Sequence, residues 1–96
     1  MSDFDNYKPR NEKEEMLARA FLKLKTYQQV INFLRDLLTP KELEEFANRL
    51  EIARLLKKGY SYKKIARETK TSTTTVTRVA HWLFRGSGGY QKVLNK

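Results

Sequence analysis

The chain contains no cysteine, so neither a disulfide framework nor a thiolate metal site is open to its 96 residues. That absence suits a reducing compartment, and a cytoplasmic protein is expected. No apolar run approaches the ~18–20 residues of a membrane span. The opening MSDFDNYKPR is polar, with Asp3 and Asp5 ahead of its first basic residue, which speaks against a signal peptide. Histidine is down to one, and a lone His81 beside Trp82 reads as a surface residue rather than a ligand or base. No nucleophile–base pair, metal cluster or Gly-rich phosphate loop is present, and RGSGG lacks the strand, the lysine and the spacing of a P-loop. Neither an enzyme, nor a metal, nor a cofactor is expected.

Acid is scarce in one region. Residues 1–39 carry seven basic and six acidic groups, and residues 40–56 carry three and four. Residues 57–85 carry eight basic groups against the single acid Glu68. That block accounts for most of the net charge of +9. A localised basic block points to a polyanion, either nucleic acid or an anionic membrane surface.

What is present is helical periodicity. Met16, Leu17, Ala20, Phe21 and Leu24 form one stripe, predicting a helix over residues 9–25. Thr26 and Gln29 form a capping-box pattern, and Tyr27, Val30, Ile31, Leu34, Leu37 and Leu38 continue a second helix. Thr39-Pro40 with Glu42 is a stronger start signal, with an N-cap, a proline at the first helical position and a box-closing acid. The third helix, about 40–57, is apolar nearly all round in its second half. A helix of that kind is buried on every side, and so small a chain buries only roughly 60–65% of its unfolded surface. A core shared between two chains is therefore expected. Gly59 stops this helix.

Ser61 opens a short helix, SYKKIARETK, and Ser72 opens another. The stretch TSTTTVTRV is strand-like in propensity. Yet Val76, Val79, Ala80 and Leu83 recur at helical period, and each threonine costs at most ~0.7 kcal/mol relative to alanine. After GSGG, a short tail offers Tyr90, Val93 and Leu94 on one face. The expected fold is all-α, with five to six helices in a single domain, 1–96. Residues 1–8 read as frayed, 9–57 as dimerisation helices, 61–85 as a helix-turn-helix, and 86–96 as a flexible joint and C-terminal tail.

The helix-turn-helix reading rests on Ile65 and Ala66 facing Val76 and Val79 across a turn. Ser72, Thr73, Thr74, Thr75 and Thr77 then lie at the start of the second helix, which in this motif enters the major groove. Their hydroxyls suit phosphates or base edges, and their methyls suit thymine. Lys63, Lys64, Arg67, Lys70 and Arg78 surround them as phosphate partners. Lys70 stands where many such turns carry glycine, so a looser or differently shaped turn is expected.

LTPKELEEFANRLEIARLLKKG followed by SYKKIARETKTSTTTVTR resembles the Trp repressor family, and more closely its YerC/YecD-like branch. The resemblance is clearest from Leu38 to Arg78. It implies an intertwined all-helical homodimer, a palindromic DNA operator with half-sites about one helical turn (~34 Å) apart, and a corepressor pocket. Of the positions the resemblance places in that pocket, Thr39, Arg49 and Arg78 are retained. Val79 and Trp82 stand where tryptophan-binding members have glycine and serine. The space for an indole is then expected to be filled by these side chains, which speaks against free tryptophan as the effector. The function read from the sequence is a sequence-specific DNA-binding regulator, most simply a repressor. The alternative is a protein-interaction or assembly module that keeps the fold without reading DNA.

Overall fold

In the computed structural model, which describes residues 4–95, the chain order is α1 (Glu12–Leu22), α2 (Tyr27–Leu37), α3 (Pro40–Lys57), α4 (Tyr62–Thr69), α5 (Thr73–Arg85) and α6 (Gly89–Leu94). Among the described residues there are six helices and no strand. None of these helices is long and apolar enough to cross a membrane. The chain divides into two compact units, Tyr7–Glu44 and, with residues 4–6, 45–95.

The first unit holds α1, α2 and the opening turn of α3. Helix α1 starts at Glu12 rather than at Pro9, because Asn11 is the better cap. Its backbone is extended and its side chain accepts the Glu14 amide at 3.0 Å. Glu14 in turn gathers the preceding segment. The Arg10 amide donates to it at 3.0 Å, the Tyr7 hydroxyl at 2.7 Å and the Arg10 Nε at 2.9 Å. These donors hold the Glu14 carboxyl down to about 2, the Arg10 amide contributing most. Of the segment expected to be frayed, residues 1–3 lie outside the described residues, while Tyr7 is fixed on Glu14.

The Thr39–Glu42 capping box forms in full, and the Thr26–Gln29 one forms on the N-cap side, with Gln29 reaching one residue further back. Gln29 donates its amide to the Thr26 hydroxyl at 3.1 Å, and its side chain accepts the Lys25 amide at 2.7 Å. Thr39 and Glu42 cap each other reciprocally, at 3.1 and 2.9 Å. Phe21 of α1 meets Phe33 of α2 edge to face, with ring centres 5.2 Å apart. Yet neither helix has a buried residue. Met16, Leu22 and Tyr27 are 68%, 78% and 80% exposed.

The second unit contains the core. Ile52, Ala53, Leu55 and Leu56 of α3 pack with Ile65 and Ala66 of α4 and with Val76, Val79, Ala80 and Leu83 of α5. Tyr90 and Leu94 of α6 lie against this cluster, whereas Val93, expected on the same face, is exposed. Each fully buried Ile or Leu contributes ~1.5–3 kcal/mol. That contribution explains why the threonine-rich stretch is helical: the inward valines dominate the small propensity cost. Helix α3 ends on a left-handed Gly59 (φ +87°), with the Gly59 amide donating to the Leu56 carbonyl at 3.0 Å. Gly88 (φ +88°) also needs its missing side chain, since a Cβ there would press on the Phe4 ring at 3.1 Å.

Candidate nucleic-acid interface

Ser61 caps α4 by accepting the Lys64 amide at 3.1 Å, and Ser72 caps α5 by accepting the Thr75 amide at 3.2 Å. Between the two helices the chain turns at Lys70. Lys70 is left-handed (φ +56°, ψ +43°), the one non-glycine residue with positive φ among the described residues. The turn is therefore not loosened where glycine might be expected. Lysine adopts the glycine conformation, at a cost of ~1–2 kcal/mol. Hydrogen bonds hold it there. The Thr71 amide donates to the Ala66 carbonyl at 2.9 Å, and the Thr69 hydroxyl to the Ile65 carbonyl at 2.7 Å. The Thr69 and Thr71 hydroxyls meet at 3.0 Å, and the Asn48 amide group of α3 donates to the Thr69 carbonyl at 3.3 Å.

This frame places the sequence-selected residues as follows. Lys63, Lys64 and Arg67 on α4 and Lys70 in the turn are exposed. Ser72, Thr73, Thr74, Thr77 and Arg78 are exposed at the start of α5. Thr75 differs from the other threonines. It is half-buried, its hydroxyl lies 3.2 Å from that of Ser72, and it lines an inner cavity. The Thr77 hydroxyl donates to the Thr73 carbonyl at 2.9 Å, leaving its oxygen lone pairs outward.

The charges here are not ion-paired among the described residues. The ion pairs among the described residues are Arg10–Glu14, Arg19–Glu15 and a two-pronged Arg54–Glu51. None involves a basic residue of 57–85. Two neighbours, Tyr60 and the surface residue His81, were not assigned to this face from the sequence. Tyr60 carries the Lys64 ammonium 4.6 Å above its ring. His81 continues the outward face of Thr74, Thr77 and Arg78, its ring edge-on to Trp82 at 5.1 Å. The helical interval of the outward residues was the signal that could have found it.

Beside α5 lies a cavity of about 970 Å³ with Arg49 and Arg78 in its wall. Arg49 also sits 5.4 Å over the Phe46 ring. Val79 and Trp82 line the cavity without filling it: Val79 is 4% exposed and belongs to the core, while Trp82 is 55% exposed. The expectation that these side chains occupy the space is corrected accordingly. Thr39 spends its hydroxyl capping α3 and is not among the cavity-lining residues. Ser87, Tyr90 and Val93 supply a wall that sequence reasoning did not anticipate. Among the described residues no cluster of His, Cys, Asp and Glu forms that could hold a metal ion.

The profile of the Trp repressor protein family matches residues 12–96. The chain belongs to the Trp repressor family. An uncharacterized protein of Bacillus subtilis (strain 168), YerC, is 37% identical over 89 residues, covering 93% of this chain and 86% of its own length. A solved structure of a TrpR-like protein from Eubacterium eligens ATCC 27750 superposes with a TM-score of 0.79 at 33% identity. That match covers 88% of this chain and 87% of the other. As in the rest of this Trp repressor-like fold, the regulatory rather than the catalytic class is the one the comparison supports.

Proposed function

We propose that this Trp repressor-family chain is a sequence-specific DNA-binding regulator, acting as a repressor from a palindromic operator. The observation that carries the reading is the exposed hydroxyl-rich start of α5, ringed by Lys63, Lys64, Arg67, Lys70 and Arg78 with none of them ion-paired among the described residues. Thr73, Thr74 and Thr77 read base edges. The basic ring engages phosphates and makes affinity salt-dependent.

The functional unit is a homodimer. Leaving Met16, Leu22, Val30 and Leu37 in water is unfavourable at ~25 cal/mol per Å² of apolar surface, and all four are exposed in the single chain. A second copy laid on these helices buries them and sets two reader helices one helical turn apart. The cavity beside Arg49 and Arg78 is the effector pocket of this reading. In this reading Val79 and Trp82, which stand in the wall where tryptophan-binding members carry glycine and serine, shape the pocket for a ligand other than free tryptophan.

Fluorescence anisotropy on duplexes selected from a random-site library tests the proposal. The expected result is a two-fold symmetric site, bound with an affinity that falls steeply with salt. Equal binding to every sequence would instead favour the interaction-module reading, with the exposed faces of α1 and α2 as its docking surface.

A further inference from the structure

We propose that Asn48 is a positioning residue, which fixes the helix-turn-helix turn against α3 and thereby sets the attitude of the reader helix. The proposal rests on the DNA-binding reading above. Asn48 donates its side-chain amide to the Thr69 carbonyl at 3.3 Å, across 21 residues of chain. No other side-chain hydrogen bond among the described residues joins α3 to the helix-turn-helix.

The acceptor is informative. Thr69 is the last residue of α4, so its carbonyl has no partner within the helix. It is half-buried, so water is a poor substitute. The next residue is Lys70, left-handed without a glycine. A lysine persists in that conformation only where the surroundings over-determine it. From below, Thr69 and Thr71 pin the turn to α4 through Ile65 and Ala66. From the side, Asn48 pins it to the core helix. Release of that tie leaves the turn anchored to α4 alone, and α5 begins three residues past Lys70 at Thr73. Base readout by short hydroxyl side chains tolerates about half an ångström of misplacement. A pivot at the turn therefore acts on base readout, whereas contacts from flexible lysines to phosphates absorb it.

The test uses the full-length chain with Asn48→Leu, which keeps size and charge and removes the donor, and Asn48→Ala as a second variant. The probes are the duplex selected by the wild type and a scrambled duplex of equal length. Both variants are expected to bind the selected duplex about tenfold more weakly, in line with one lost hydrogen bond to a half-buried carbonyl, and the scrambled duplex within twofold of the wild type. Without DNA, amide exchange at Lys70 and Thr71 is expected to speed up about tenfold, while core amides at Leu56 and Leu83 keep their protection. A purely structural role would accelerate the core amides too. Undiminished preference for the selected duplex in Asn48→Leu overturns the proposal, as does unchanged exchange at Thr71. If the wild type itself shows no preference between duplexes, the DNA reading falls and takes this role with it. A wild-type preference that survives in both variants removes Asn48 alone.

Discussion

The Thr71 amide donates to the Ala66 carbonyl at 2.9 Å, and this bond closes the end of α4 around Lys70, the left-handed residue between the two helices. Two properties meet at Lys70. Its backbone is strained, and its side chain is an exposed cation at the edge of the reader helix. Lys70→Gly separates them. Glycine relieves ~1–2 kcal/mol of left-handed strain and loses part of it to greater freedom in the unfolded chain. A net gain of about 0.5–1 kcal/mol is expected, a rise of a few degrees in melting temperature. The same variant loses one phosphate partner, so the slope of log affinity against log salt falls by about one. Calorimetry and a salt titration read the two effects separately. A lower melting temperature would show that the lysine side chain contributes packing that outweighs the strain.

Some of this was legible and some was not, for reasons that differ by residue. The reciprocal cap between Thr39 and Glu42 is local, four residues long, and needs only two side chains of the right kind. The helical state of TSTTTVTRV follows from Val76, Val79, Ala80 and Leu83 at one period, all buried. The start of α1 was misjudged because Pro9 also suits a first helical turn, and only the clasp of Tyr7 and Arg10 on Glu14 shows why the chain remains extended to Asn11. The left-handed Lys70 was hidden because that conformation is usually spelt with glycine or asparagine. The tie from Asn48 to Thr69 joins residues with no common sequence pattern. The open cavity was misread because the sequence names Trp82 as a wall residue but not the outward course of its ring.

The threonines of the reader helix are expected to separate by function. Thr74 is exposed on the outward face and Thr75 is half-buried over the cavity. Thr74→Ala should relax the preference at one base pair of each half-site, a loss of ~1–3 kcal/mol against the preferred base. Lys63→Ala should weaken all sequences alike and reduce the salt slope by about one. Selection from a random library with each variant measures this. A uniform loss in Thr74→Ala would remove it from base readout.

Glu14 makes the start of α1 sensitive to acid in a defined range. Its carboxyl lies well below its ordinary value of 4.5, at about 2, held chiefly by the Arg10 amide and then by Tyr7 and Arg10 side chains. A group depressed in this way contributes stability that is full above its unfolded value and is lost as pH falls towards its folded one. The clasp should therefore persist at neutral pH and weaken between about pH 4.5 and 2. A carboxyl chemical-shift titration of Glu14 is expected to show a midpoint near 2. Glu14→Gln should fray the first turn of α1, seen as faster exchange of the Glu14 and Glu15 amides, with the difference from wild type vanishing at the acid end. An ordinary midpoint near 4.5 would mean that the clasp is not populated in solution.

Met16 tests what covers the apolar face of α1. It is 68% exposed in the single chain, so Met16→Glu should be nearly neutral, within about ±0.5 kcal/mol, if that surface meets only water. Under a shared core the same substitution buries a charge without a partner, which costs several kcal/mol. The expected result is a large drop in melting temperature that becomes steeper on dilution, because folding and association are then one equilibrium. Light scattering on the wild type should give about twice the chain mass of 11.4 kDa. A neutral Met16→Glu together with a monomeric wild type would leave the stripe to a different partner. DNA recognition would then require two copies to meet only on the operator, with binding curves cooperative in protein concentration.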